Sequence, residues 1–565
     1  MNDALQAPPR SSAISAAALE KGGQDFTRWA IVAVLAGVVL IPPLAAPSLV
    51  NFGRSVVRVE LMLAEIVVVL GWCLTQREVF LPRRVNRTAG ALVGAWTLAS
   101  LAATVLAVHV APAVLRTAEW AVHGLFGLVL WSEMQRDRRV LEAVVRAIPV
   151  GFALFVVAVG LEALQMPDPV RHNWMADVPY LGHIRRFGIY ALACVAFSAR
   201  ALLDPDSSTR SRRWAWAGLT LGWAVLIWSG GRGAVGAGLL VGGCLWALAG
   251  SRRTSFALAF VATVVAGTLV SLCFPVENGG GGLWRLLNIG TAGSASEFTS
   301  GRTELWLTSL AAWRQRPWLG LGPDASGFVL NPFGHEQPHN VVLQALVDWG
   351  LIGAAAFLIL LLGLMLTAVR RTVAERDGAL SSSRAVAAAY LVGATALALL
   401  DGVFYDARPL IIVTAAAAIT LLPIGAGGGR PVPVTRGLCQ GLCGMVLGIA
   451  ALGIAHLGTV LAVWSPGVPA PDSLRVAYLK AFPSTGFLIE PATWVRAWAD
   501  EDPEAARSMA QWGGRHAIRP WNYLRLEADL LLERGLREEA LALHARANRL
   551  EAEAYRYWPH DGASD

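Results

Sequence analysis

Ala257-Leu-Ala-Phe-Val-Ala-Thr-Val-Val-Ala-Gly-Thr-Leu-Val-Ser-Leu-Cys273 and Leu351-Ile-Gly-Ala-Ala-Ala-Phe-Leu-Ile-Leu-Leu-Leu-Gly-Leu-Met-Leu366 are two unbroken apolar runs, separated by a long polar interruption. A run of roughly 17–25 apolar residues crosses a bilayer as a helix, because a helix satisfies its own backbone polar groups. The segment between about Cys273 and Val341 therefore reads as a large loop held between membrane spans. It carries Gly301-Arg302-Thr-Glu-Leu-Trp306 and, where the apolar pattern resumes, Pro338-His339-Asn340. Arginine keeps its charge and grips phosphate through a planar fork of donors. Histidine is suited to moving protons near neutral pH. A chain that offers both to one side of a membrane points to chemistry on a lipid-linked anion.

The rest of the sequence repeats the apolar signal. Hydrophobic residues make up 55% of the chain, charged residues only 15%, and mean hydropathy is +0.50, which excludes an ordinary soluble domain. Spans are expected near 29–47, 58–76, 88–109, 112–131, 140–165, 187–203, 214–229, 232–250, 255–275, 340–369, 385–404, 408–424 and 440–464. The fold class is all-α, a polytopic helix bundle of about 12–13 spans with a large outward loop. The first span lacks a small-residue cleavage signature and is followed by more membrane, so it reads as a retained span.

Basic residues set the orientation. Arg77, Arg83, Arg84 and Arg87 follow span two, Arg136, Arg138 and Arg139 span four, and Arg210, Arg212 and Arg213 span six. Arg252 and Arg253 follow span eight, and Arg370, Arg371 and Arg376 span ten. All fall on one side, which the positive-inside rule makes cytoplasmic. The loops 166–186, 276–339 and 401–407 then face outward. These clusters read as orientation signals, with no nucleic acid as partner. The six cysteines lie mostly in apolar segments without metal-ligand spacing, so neither zinc nor a disulfide is expected.

Residues 1–25 read as a disordered cytoplasmic tail, 26–465 as the membrane domain with the large loop at 276–339, and 466–565 as a helical C-terminal domain that an odd number of spans sends to the outward, periplasmic side. Within the loop, Asn278–Gly282 and 291–296 read as flexible, and Thr303–Arg314 as a short amphipathic helix. In the C-terminal domain, 503–513, 521–534 and 537–554 read as amphipathic helices, with Glu533–Ala540 resembling the link of a tetratricopeptide hairpin.

Arg232 lies in Ser229-Gly-Gly-Arg-Gly233 at an outward span end, either snorkelling into headgroups or clamping phosphate with the glycine backbone. Arg302 opens a helix, where its charge opposes the helix dipole, so a ligand role gains over a local stabilising one. Arg185 and Arg186 run against the inside-positive pattern. His339 stands at a helix start beside Pro338, and Asn340, Gln344 and Asp348 recur at four-residue spacing beyond it. His335 reads as a solvated loop residue. Arg116, Glu119 and His123 share a face of span four, Glu60 and Glu65 lie in span two, and Asp401, Phe404, Tyr405, Asp406 and Arg408 form an outward loop. Each of these groups lines a cavity or, more commonly, joins neighbouring helices. The tryptophans fit interfacial belts first and sugar stacking second.

Taken together, Arg186-Phe-Gly188, Ser229-Gly-Gly-Arg232-Gly, Gly301-Arg302 with Trp306, Arg316-Pro-Trp-Leu-Gly-Leu-Gly322, Pro338–Gly353 and Asp401-Gly-Val-Phe-Tyr405 resemble the bacterial O-antigen ligase and polymerase superfamily. The resemblance covers about 180–410. It implies glycan transfer from undecaprenyl diphosphate to an acceptor hydroxyl at the periplasmic face of the inner membrane, with no metal or other cofactor. By that resemblance His339, Arg232 and Arg302 are catalytic, and Arg186, Arg185, Asn340, Asp348 and Tyr405 bind substrate. The acceptor is lipid A-core, another lipid-linked repeat or a protein hydroxyl. A lipid-linked glycan transporter and a non-catalytic assembly scaffold are the readings from other classes.

Overall fold

The computed structural model describes residues 25–41, 54–76, 78–82, 87–174, 178–181, 183–275, 282–287, 302–330, 337–374, 379–423, 429–433, 436–464, 507, 510–511 and 520–554. The tail before residue 25, the glycine run up to 281, the 291–296 run, His335 and most of the expected helix 503–513 lie outside the described residues.

Each expected span contains a helix. They are α1 (25–37), α2 (Arg54–Thr75), α3 (Arg87–Val105), α4 (Val110–Arg136), α5 (Arg138–Gln165), α6 (Ile184–Ser198), α7 (Thr209–Trp228), α8 (Arg232–Leu248) and α9 (Arg253–Leu272). In the large loop stand α10 (Arg302–Gln315) and α11 (Ala325–Leu330), followed by α12 (Val341–Ala374), α13 (Ala379–Ala398), α14 (Ala407–Thr420) and α15 (Arg436–Trp464). Among the described residues, seven helices are long and apolar enough to cross a membrane, and the architecture is an all-α polytopic bundle.

Burial separates central helices from peripheral ones. α6 and α14 are buried along nearly their whole length, with Phe187, Leu192, Phe197, Ile411 and Ile419 at the core. A helix that is apolar on every face belongs inside. α3, α9 and α15 instead expose Leu98, Leu258, Leu269, Leu447 and Ile454, an apolar surface suited to lipid rather than water. No strand is expected from the sequence, yet β1 (Glu78–Pro82) and β2 (Gly429–Pro433) pair antiparallel and tie the end of α2 to the start of α15.

The contacts sort helix ends into two groups. Arg136 bonds Gln76 and the Glu78 carbonyl, while Arg371 donates to the Leu422 carbonyl at 3.1 Å and Arg384 to the same carbonyl at 2.9 Å. The ends of α2, α4, α12 and α14 therefore share one side. At the opposite side the Trp228 indole donates to Phe274 O at 3.0 Å, Arg408 to Tyr180 O at 3.2 Å and Val108 N to Leu321 O at 3.0 Å. This is the up-and-down alternation that the spacing of basic clusters requires.

α12 is broken at Gly350 (φ 63°, ψ −170°). The loop after α10 lies against the break: Leu321 N donates to Val347 O at 2.8 Å, Gly322 N to Asp348 O at 3.2 Å, and Leu351 N to Pro317 O at 2.8 Å. Gly320 also has positive φ, and a methyl group there would lie 2.6 Å from the Gly350 nitrogen. Two glycines are needed because two backbones touch. Later in the chain, α16 (Pro520–Glu533) and α17 (Arg537–Ala554) form a hairpin turning at Gly535 (φ 78°) and packed through Leu524, Ala528, Leu531, Ala540 and Ala547.

Candidate functional site

The site begins with how α12 starts. The sequence places the helix start at Pro338-His339, but the first helical residue is Val341 and Asn340 is its cap. The Asn340 Oδ1 accepts from Val342 N at 2.9 Å and Leu343 N at 3.1 Å, and its Nδ2 donates to Leu399 O at 3.2 Å. These bonds satisfy orphan N–H groups of the first turn. His339 precedes the cap with φ 51°, a left-handed backbone uncommon for a residue with a Cβ. Such strain persists only where surrounding contacts fix it.

The contact that fixes it is Asp401. His339 Nδ1 lies 3.0 Å from Asp401 Oδ1, and the side chains are 19% and 15% exposed. A carboxylate only accepts, so Nδ1 is the donor in this bond, and in the neutral imidazole the lone pair then falls on Nε2. The Gly402 N–H also donates to Asp401 Oδ1, at 2.8 Å. Burial alone would raise the Asp401 carboxyl. The hydrogen bond from His339, the charge of that ring when protonated, the Gly402 N–H and nearby Arg302 instead hold it well below the usual carboxylate range.

Arg302 reaches the pair from the large loop. It opens α10, whose Leu305, Ser309 and Ala312 are buried and whose Trp306 indole donates to Pro338 O at 3.0 Å. That bond ties α10 to the residue before His339. Burial lowers the Arg302 guanidinium from its ordinary value, with Asp401 opposing and Arg232 adding to the fall, so both lie within its electrostatic reach. Arg232 begins α8 after Gly230 (φ 60°) and the Gly231 cap, and Gly233 packs beside Leu397 and Leu400 at the end of α13. Among the described residues the Arg232 side chain makes no hydrogen bond or ion pair. Arg232, Arg302, His339 and Asp401 are thus gathered at one end of the bundle, from α8, α10, and the α12 and α14 approaches.

The other expected residues stand around or below this group. Arg185 and Arg186 open α6, where the His183 Nδ1 accepts from Arg185 N at 3.0 Å and Arg186 Nη1 donates to Leu181 O at 2.8 Å. Gly188, half a turn on, packs against Ser229 and Ala234, which brings this helix start beside the Arg232 turn. Asp348 lies deeper, 1% exposed, with its Oδ1 accepting from Ser326 Oγ at 3.2 Å. Ser326, from the loop segment before α12, is thus its hydrogen-bond partner. Tyr405 is 4% exposed, beside the guanidiniums of Arg58 and Arg116. Sequence reasoning grouped Asp401 among structural contacts between helices. Its only sequence signal as the partner of His339 was membership of the Asp401–Tyr405 motif.

The arrangement offers two fixed cations and a proton-accepting imidazole backed by a carboxylate. It can hold an anion with two oxygen-bearing groups while accepting a proton from a hydroxyl beside it. No curated protein sequence matches the chain. A family model described as O-antigen ligase matches residues 217–358, a segment that includes Arg232, Arg302 and His339 and excludes Arg186 and Asp401. Over that segment the chain is similar to the O-antigen ligases, which supports the resemblance to the O-antigen ligase and polymerase superfamily.

Proposed function

We propose that this protein transfers a preassembled glycan from undecaprenyl diphosphate to an acceptor hydroxyl at the outer face of the bacterial inner membrane. The observation that supports it most is the convergence of Arg232, Arg302 and the His339–Asp401 pair. In the reaction the acceptor oxygen bonds to the anomeric carbon while the bond from that carbon to the diphosphate oxygen breaks. The electron pair leaves with the diphosphate, whose growing charge Arg232 and Arg302 stabilise. The hydroxyl proton passes to His339 Nε2, and Asp401 stabilises the imidazolium that forms. No covalent enzyme nucleophile is required. Arg185 and Arg186 extend the cationic surface for the donor, and the basic clusters on the opposite side give the orientation.

The test is reconstitution of the protein in lipid with an undecaprenyl-diphosphate glycan and, separately, lipid A-core, a second lipid-linked repeat or a protein acceptor. Mass spectrometry identifies the product, with His339→Ala as control. Product on lipid A-core identifies a ligase, and a lengthened lipid-linked glycan a polymerase. Glycosylated Ser or Thr identifies a protein oligosaccharyltransferase. Bound donor without product on any acceptor would overturn the proposal in favour of transport or assembly.

A further inference from the structure

Below the site, α2, α4, the loop after α10 and the turn before α14 meet at buried charges. Arg58, 3% exposed, donates to Asp324 through Nη1 at 3.0 Å and Nη2 at 3.2 Å, and its Nε lies 2.8 Å from Glu119. Arg116, 1% exposed, also pairs with Glu119, and its Nη2 donates to Phe404 O at 2.6 Å. The Tyr405 ring lies beside the two guanidiniums, with centroid distances of 5.8 Å to Arg58 and 5.7 Å to Arg116. Desolvating these charges costs about as much as their pairing returns, so stability is a poor account of them. What they fix is the place of one turn. Tyr405 N and Asp406 N donate to Gly402 O at 3.0 and 3.2 Å, Gly402 N donates to Asp401 Oδ1 at 2.8 Å, and Asp401 meets His339 at 3.0 Å.

We infer that Arg116 and Arg58, acting through Phe404 and Tyr405, are positioning residues that hold the 401–406 turn so that Asp401 stays on His339. The inference rests on the transferase reading above. A guanidinium suits the task because it can pair with Glu119, donate to a carbonyl and face an aromatic ring at once. Lysine retains the charge without the fork. The turn it holds is short, so a displacement at Phe404 is carried to Asp401 with little loss.

The test uses the full chain in nanodiscs and six forms of the protein: wild type, Arg116→Lys, Tyr405→Leu, Asp401→Asn, and each of the first two variants combined with Asp401→Asn. Tyr405→Leu removes the ring and no charge, so it serves should Arg116→Lys fail to fold. Folding is checked by gel filtration and by binding of the lipid-linked donor. The expected result is a fall in kcat of about 10- to 100-fold for each positioning variant, the scale of a misplacement near 1 Å. KM for donor and acceptor should stay within about threefold. The decisive reading is the combination with Asp401→Asn, in which neither variant should lower the remaining rate further. Losses that multiply in that background, or wild-type kcat in a folded positioning variant, would overturn the inference. A fully active Asp401→Asn protein would instead strike at the His339–Asp401 reading beneath it.

Discussion

Replacing Asp401 by asparagine tests the core of the site with the smallest change of shape. The bond at stake runs 3.0 Å from His339 Nδ1 to a carboxylate that is 15% exposed and also accepts from Gly402 N. A hydrogen bond to a charged group contributes about 1.5–3 kcal/mol. At about 1.4 kcal/mol per decade, losing it in the transition state lowers kcat about 10- to 150-fold. An amide can also donate, which would turn the imidazole to its other tautomer. In hydrolases where a carboxylate orients a histidine base, the same exchange costs about 10⁴ in rate. The expected range is therefore about 10² to 10⁴ in kcat, with donor KM little changed. The assay is single-turnover transfer of a labelled lipid-linked glycan in nanodiscs. A folded Asp401→Asn protein that turns over within twofold of wild type would refute the assignment of His339 as base with Asp401 behind it. The same variant carries a stability signature. The folded Asp401 carboxyl titrates below its ordinary value of about 3.9, so its contribution is fully present above that pH. It is lost as pH falls toward the folded value. Wild type should lose more thermal stability than Asp401→Asn between about pH 5 and pH 3, and equal losses would count against an ionised pair.

Arg232→Lys keeps the charge and loses the fork, so donor affinity measured with the lipid-linked glycan should fall about tenfold, and unchanged binding would exclude a bidentate grip. Trp306→Phe removes the indole bond to Pro338 O and should cost about 1 kcal/mol, read as a kcat a few-fold lower at normal expression. Gly320→Ala forces a methyl group to within 2.6 Å of Val347 O at a φ of 73°. It should destabilise the detergent-solubilised protein by about 2–3 kcal/mol, seen as a lower Tm.

The helices were legible because their signal is local. Hydropathy over a window locates α9 or α12 without knowing what either touches. Even the even-numbered placement of Arg136 and Arg371 follows from counting. Pairings across the chain were not legible. Asp401 lies 62 residues from His339 and Asp324 lies 266 from Arg58, and nothing in the intervening sequence measures those distances. The sequence singled out Arg116 and Glu119 as sharing a face but could not supply Arg58 as the third member. Asn340 illustrates a different difficulty. Its position beside His339 suggested substrate, while the same amide is a good helix cap, and only geometry separates the two. The break at Gly350 is hidden inside a run whose hydropathy reads as one span, and β1–β2 is hidden by its brevity.

The break in α12 also bears on how the chain comes to be inserted. A helix interrupted in hydrocarbon leaves carbonyl groups with no partner, at a cost of several kcal/mol each. Here Val347 O and Asp348 O are met by Leu321 N and Gly322 N, and Leu351 N is met by Pro317 O. The partners are synthesised first and belong to the loop after the previous span. The interrupted helix can settle only once that earlier stretch has folded back to meet it. Residues 317–322 thus serve as a template in biogenesis, and a one-residue insertion among them should trap the protein half-assembled, even though every apolar segment remains intact.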